Sequence, residues 1–96
     1  MCGFTVLIKK RKLDFRKKFH LASQIISYRG PDDKYYYEDK NILMNFFRLS
    51  IQDLTSHGRQ PMFSASKRYI LVFNGEIYNK FDLIKKFNFK KLKSET

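Results

Sequence analysis

Residues 1–8 read Met1-Cys2-Gly3-Phe4-Thr5-Val6-Leu7-Ile8, the chain's one cysteine set directly ahead of an apolar run. The run predicts a strand from Gly3 to Lys9, buried enough to fix the chain's beginning in a sheet. A residue as small as Cys2 at the second position permits removal of the initiator methionine. One residue would then carry both a thiol and a free α-amine. A thiol is a good nucleophile once deprotonated. An α-amine, with an unperturbed pKa of about 7.7–8.0, can act as the base for its own side chain. Gly3 would let substrate or backbone come close. The plain alternative is an ordinary terminal residue beside a frayed end, and position by itself leaves both readings open.

Outward from that strand, Lys9 to Lys12 reads as an exposed turn, which also interrupts the apolar segment too early for a signal peptide. Asp14 is the expected N-cap of a helix with Phe15, Phe19, Ala22, Ile25 and Ile26 on one face. The helix should stop at Tyr28-Arg29-Gly30-Pro31, because Pro cannot continue it. Asp32-Asp33 opens a turn, Tyr35 to Tyr37 is a short strand, and Ile42 to Ile51 is a near-continuous apolar strand interrupted by Asn45 and Arg48. A polar loop over Asp53 to Pro61 leads to two more strands, Met62 to Ser66 and Arg68 to Phe73. Asn74-Gly75 is a turn signal. Asn79 and Asp82 resemble a capping box for a helix through Phe87. The chain ends in Lys93-Ser94-Glu95-Thr96. Strand, helix, several strands and helix in that order imply an α+β fold, a mainly antiparallel sheet with helices packed on it.

Ninety-six residues make one small domain, with ten Phe and six Tyr supplying most of the bulk of its core. No apolar stretch approaches the length of a membrane span. A single cysteine excludes an internal disulfide framework and suits a reducing cytoplasm. His20 and His57 are isolated, so no metal-ligand spacing is present. The net charge of +11 would attract acidic partners. The basic residues are scattered, however, and no nucleic-acid-binding signature accompanies them, so most read as solvated faces. A basic module for an acidic partner is the reading ranked last.

Three constellations bear on chemistry. Arg48 lies inside an apolar strand, where an unpaired charge is expensive to bury. It calls for a carboxylate gripped in a fork; the plainer reading, which the residue taken alone favours, is an internal ion pair or a side chain reaching out to the sheet edge. Asn74-Gly75 follows the buried-looking strand Tyr69 to Phe73 and precedes a helix. Such a turn can aim an amide side chain and a backbone N–H at one point, as an oxyanion hole requires. The neighbouring Glu76 could hold an ammonium group. Tyr28-Arg29-Gly30-Pro31-Asp32-Asp33 is adequately explained as a solvated turn.

Taken in order, these pieces resemble the N-terminal class II glutamine amidotransferase domain of asparagine synthetases. The matching residues are Met1-Cys2-Gly3, Arg29-Gly30-Pro31-Asp32-Asp33, Arg48-Leu49-Ser50-Ile51 with Asp53-Leu54, Gln60-Pro61-Met62, and Asn74-Gly75-Glu76-Ile77-Tyr78-Asn79. Tyr28 and Phe46 stand where that family usually has His. The resemblance implies an N-terminal-nucleophile hydrolase with an αββα sandwich, of which residues 1–96 would be the N-terminal half. It implies that Cys2 attacks the side-chain amide of glutamine and that Asn74 and Gly75 stabilise the oxyanion. Arg48 would hold the substrate α-carboxylate and Glu76 its α-amine. Leu49 to Ile51 would line the pocket, and the Arg29-Gly30 loop would close over it. No cofactor is implied for this domain; ATP and Mg would belong to a synthetase domain, which the resemblance places outside residues 1–96. The expected partners are glutamine and a completing chain or synthetase domain, in the cytoplasm, with neither membrane nor nucleic acid. The rival expectation is an inactive, truncated piece of that domain.

Overall fold

The computed structural model describes residues 2–51 and 53–89. Met1, Lys90-Lys91 and Lys93-Ser94-Glu95-Thr96 therefore lie outside the described residues. Three strands form one antiparallel sheet: β1 (Gly3–Ile8), β2 (Asp33–Glu38) and β3 (Ile42–Arg48), in the order β1-β3-β2. The central strand is the most apolar of the three, as a strand covered on both faces must be. Leu43, Met44, Asn45, Phe46, Phe47 and Arg48 are all buried.

The register sorts the side chains into two faces. Gly3, Phe47 and Lys34 form one row, Thr5, Asn45 and Tyr36 a second, and Leu7, Leu43 and Glu38 a third, all on one face. The helix α1 (Arg16–Ser23) and the 3-10 turns that follow it, Gln24–Arg29, pack on this face. On the other face Phe4, Phe46 and Tyr35 form one row and Val6, Met44 and Tyr37 the next. There Arg59 lies over the Tyr35 ring at 4.7 Å, and Phe63 meets Tyr37 edge-on at 5.3 Å. That cover stops short of β1, where Phe4, Val6 and Ile8 remain exposed.

The helix differs from its expected form in three ways. On its inner face Phe19 and Ser23 are buried and Phe15 and Ile26 half-buried, while Ala22 and Ile25 are exposed. Ser23 belongs inside because its hydroxyl donates to the Phe19 carbonyl at 2.7 Å and shares a 2.6 Å hydrogen bond with Thr5 of β1. Asp14 accepts from the Arg16 N–H at 3.0 Å, but the N-cap is Phe15, one residue later. From Gln24 the chain tightens into 3-10 geometry, a common way for an α-helix to end.

The remaining strands are shorter than their sequence suggests. β4 (Met62–Phe63) and β5 (Ile70–Leu71) pair with each other in a separate two-stranded ribbon. The second helix, α2 (Lys80–Phe87), starts after Asn79 as expected, although no side-chain capping bond forms there. It ends on Asn88 at φ 53°, the left-handed conformation that Asn tolerates at such a position. α2 packs on no other helix or strand among the described residues, so only one of the two helices covers the sheet. The result is a mixed α/β chain with antiparallel sheets and two helices.

Candidate functional site

The site forms where β1 begins and β3 ends. Gly3 pairs with Phe47, which brings Cys2 level with Arg48. β3 stops at Arg48, before the Ile51 that the apolar pattern suggests. The main chain of Leu49 turns to the cysteine instead: its N–H donates to the Cys2 sulfur at 3.3 Å, and the thiol lies 3.5 Å from its carbonyl oxygen. The Cys2 carbonyl accepts from Arg29 Nε at 3.2 Å. Both the main chain and the side chain of Cys2 are thus tied down, and its thiol is half-buried.

Two glycines make this fit sterically possible. A Cβ on Gly3 would press on the Arg29 Cδ at 3.2 Å and the Ile26 Cδ1 at 3.3 Å. Gly3 therefore gives room to the Arg29 stem rather than to a substrate. A Cβ on Gly30 would fall under 3.0 Å from three backbone atoms of Phe47 and Arg48. That approach lets Pro31 bridge to Arg48 and the Asp32 N–H donate to the Arg48 carbonyl at 3.0 Å. Tyr28, Arg29, Pro31 and Leu49 line a cleft of about 350 Å³ beside the cysteine's contacts.

Arg48 is 6% exposed. Its Nη1 donates to the Thr55 carbonyl at 2.7 Å and its Nη2 to the Asp53 carbonyl. A guanidinium has five N–H donors, and among the described residues these two bonds engage only part of that set. Asp33 is its register partner across the ladder. The Tyr35 hydroxyl and the Lys34 N–H, donating to the Asp33 carboxyl, hold it below its ordinary range, with smaller help from the charges of Arg59 and Arg48.

Cys2, Arg29, Gly30, Arg48 and Leu49 are therefore gathered at one place. Ile51 is exposed, two residues past the strand end. Asn74, Gly75 and Glu76 are exposed on the segment after β5, and that preceding strand is only partly buried, contrary to its apolar sequence. No hydrogen bond joins Asn74 or Gly75 to Cys2 among the described residues. Instead, Gln60 pins the turn's entrance, accepting from the Phe73 N–H at 2.5 Å and donating to its carbonyl at 3.0 Å. Asp32 is a site residue that composition hides: its carboxylate accepts from the Ser50 N–H at 2.7 Å. In a Gly/Pro-rich stretch such an Asp reads as a turn former. Among the described residues no group of three or more His, Cys, Asp or Glu could hold a metal, and no helix is long and apolar enough to cross a membrane.

Comparison with known proteins returns one domain family over the whole chain. The pattern described as "Glutamine amidotransferase domain" matches residues 1–96. The glutamine-hydrolyzing asparagine synthetase 1 of Bacillus subtilis is 38% identical over 87 residues, 86% of this chain and 14% of its own length. Asparagine synthetase B of Escherichia coli, also glutamine-hydrolyzing, is 39% identical over 72 residues, covering 75% of this chain and 13% of its own. The putative glutamine-hydrolyzing asparagine synthetase 2 of Methanocaldococcus jannaschii is 32% identical over an alignment covering 100% of this chain and 22% of its own. The chain thus spans less than a quarter of the length of these relatives.

Proposed function

The chain belongs to the glutamine amidotransferase domain family, and from that premise we propose that it hydrolyses glutamine to glutamate and ammonia with Cys2 as the nucleophile. The observation that carries this reading is the double anchorage of Cys2 beside a cleft lined by Arg29 and Leu49. Loss of Met1 would free the α-amine. The amine takes the thiol proton as sulfur attacks the amide carbon, and the tetrahedral oxyanion forms. The proton passes to the departing nitrogen, ammonia leaves, and a thioester remains. Water then attacks the thioester, releasing glutamate and restoring the thiol. Arg48 holds the substrate α-carboxylate with the N–H donors its carbonyl partners leave available. Glu76 holds the α-amine, and Asn74 and Gly75 serve the oxyanion, once their turn closes on the cleft.

The same reading gives the fold as part of an αββα N-terminal-nucleophile sandwich, with the exposed β1 side chains on the face where a second sheet would lie. It makes the ammonia the nitrogen source for an ATP-dependent synthetase domain that makes asparagine, as the names of the relatives suggest. It places the chemistry in the cytoplasm, where a free thiol stays reduced.

The test is glutamate release from L-glutamine by the purified chain. Release that disappears in Cys2→Ala is expected. No release, or release that survives the substitution, overturns the reading. A second reading is an inactive piece of the same domain. It is favoured by the turn at Asn74-Gly75 sharing no hydrogen bond with Cys2 among the described residues. In that case the thiol reacts with a glutamine-like alkylator while turnover is absent.

A further inference from the structure

We propose that Asp32 is a positioning residue for the Cys2 nucleophile, acting through the two peptide groups that flank Leu49. The proposal rests on the reading of Cys2 as nucleophile. In a trans peptide the N–H and C=O point in opposite directions, so each group can be held at one end and used at the other. The peptide between Arg48 and Leu49 accepts from the Asp32 N–H through its carbonyl at 3.0 Å and donates to the Cys2 sulfur through its N–H at 3.3 Å. The peptide between Leu49 and Ser50 donates to the Asp32 carboxylate through its N–H at 2.7 Å and turns its carbonyl to the thiol at 3.5 Å. One residue therefore holds both planes from one side, and one sulfur reads both from the other.

Among the described residues no further strand pairing fixes these planes, because β3 ends at Arg48. Asp32 is itself held by the approach of Gly30 to Phe47 and Arg48 and by the bridge from Pro31 to Arg48. The opposed groups have opposite effects on the sulfur. The Leu49 N–H supports a thiolate that is about to attack, whereas the Leu49 carbonyl accepts a hydrogen bond from the resting thiol and repels the anion. The tilt of the second plane, which the Asp32 carboxylate sets, decides how near that carbonyl stays.

The consequence is a defect in bond formation without a defect in substrate binding. The probe is a diazo-ketone analogue of glutamine, which alkylates a nucleophilic thiol and expels dinitrogen. Intact mass followed over time, at several concentrations, separates the limiting alkylation rate from the half-saturating concentration. Asp32→Ala is expected to lower the limiting rate about tenfold or more, the scale of losing a hydrogen bond to a charged group. The half-saturating concentration and the final stoichiometry of one adduct per chain should stay as in the wild type. Asp32→Asn keeps an oxygen acceptor in the same place and should stay within about threefold of the wild type. Should Asp32→Ala unfold, Asp32→Glu keeps the charge but displaces the acceptor, and it should also slow the reaction. Alkylation of Asp32→Ala, or of Asp32→Glu in its place, at the wild-type rate overturns the proposal, as does an Asp32→Asn variant as slow as Asp32→Ala. A wild-type chain that does not react at all defeats the assignment of Cys2 instead, so the two failures are told apart.

Discussion

Gly30→Ala should be among the most disruptive single-methyl changes in this chain. Gly30 sits at φ −140°, an extended conformation open to any residue, so the requirement is space and not backbone freedom. An added Cβ would fall under 3.0 Å from Phe47 C, Phe47 O and Arg48 N, all of them main-chain atoms of the central strand. A flexible side chain could move aside, but a strand paired on both edges cannot. Forcing a methyl group into such packing costs about 1–3 kcal/mol. The backbone shift that relieves it also strains the Asp32 N–H bond to the Arg48 carbonyl, worth about 1 kcal/mol net. A destabilisation of about 2–4 kcal/mol follows, and at this chain length it lowers Tm by roughly 10–30 °C. Gly75→Ala is the internal comparison. There the new Cβ would meet only the Phe73 ring at 3.0 Å, on an exposed segment, and the change should stay within about 0.5 kcal/mol. Thermal unfolding followed by near-UV circular dichroism reads both variants. A Gly30→Ala chain that melts within about 2 °C of the wild type would refute the steric argument, and with it the account of how the loop is seated on β3.

Three further outcomes follow from the same geometry. Ser23→Ala leaves the Thr5 hydroxyl without its 2.6 Å partner and should cost about 1–2 kcal/mol, read as a lower urea midpoint with an unchanged slope. Burial, with the hydrogen bond to Glu38 second, pushes the Tyr36 hydroxyl up to about 12. The folded chain thus holds that proton more tightly than the unfolded chain does. Its contribution to stability is complete below about pH 10 and is lost as pH rises toward 12, and Tyr36→Phe should remove the matching late step in the absorbance titration of tyrosine. Arg48→Lys keeps a charge but loses the fork that reaches both the Thr55 and the Asp53 carbonyls. It should raise the half-saturating glutamine concentration about tenfold while changing the maximal rate less.

Much of the first half was legible because its apolar pattern and its pairing agree. Gly3 to Ile8 and Ile42 to Arg48 alternate or run apolar as paired strands do, and the Gly30-Pro31 stop falls where the helical segment ends. The misses have physical causes. Ser23 is polar and buried, and no periodicity shows that its partner is a threonine on a strand eighteen residues earlier. Ile51 extended the apparent strand because an apolar pattern cannot show that the Leu49 main chain is taken by a sulfur. The strands after residue 61 shrank to two residues each, since a ribbon with little to pack against holds little regular pairing. At the site, the residue types of Cys2 and Arg48 announced chemistry. Asp32 did not, because its role lies in main-chain bonds to residues sixteen and eighteen positions away.

The central claim is that Cys2 is a nucleophile seated in a glutamine site. Its most direct test is the intact mass of the purified chain before and after exposure to the diazo-ketone analogue of glutamine. The account predicts a chain lacking Met1 that gains one adduct on Cys2, with excess L-glutamine protecting it. A processed, folded chain that gains no adduct, or gains one that glutamine does not block, would contradict it.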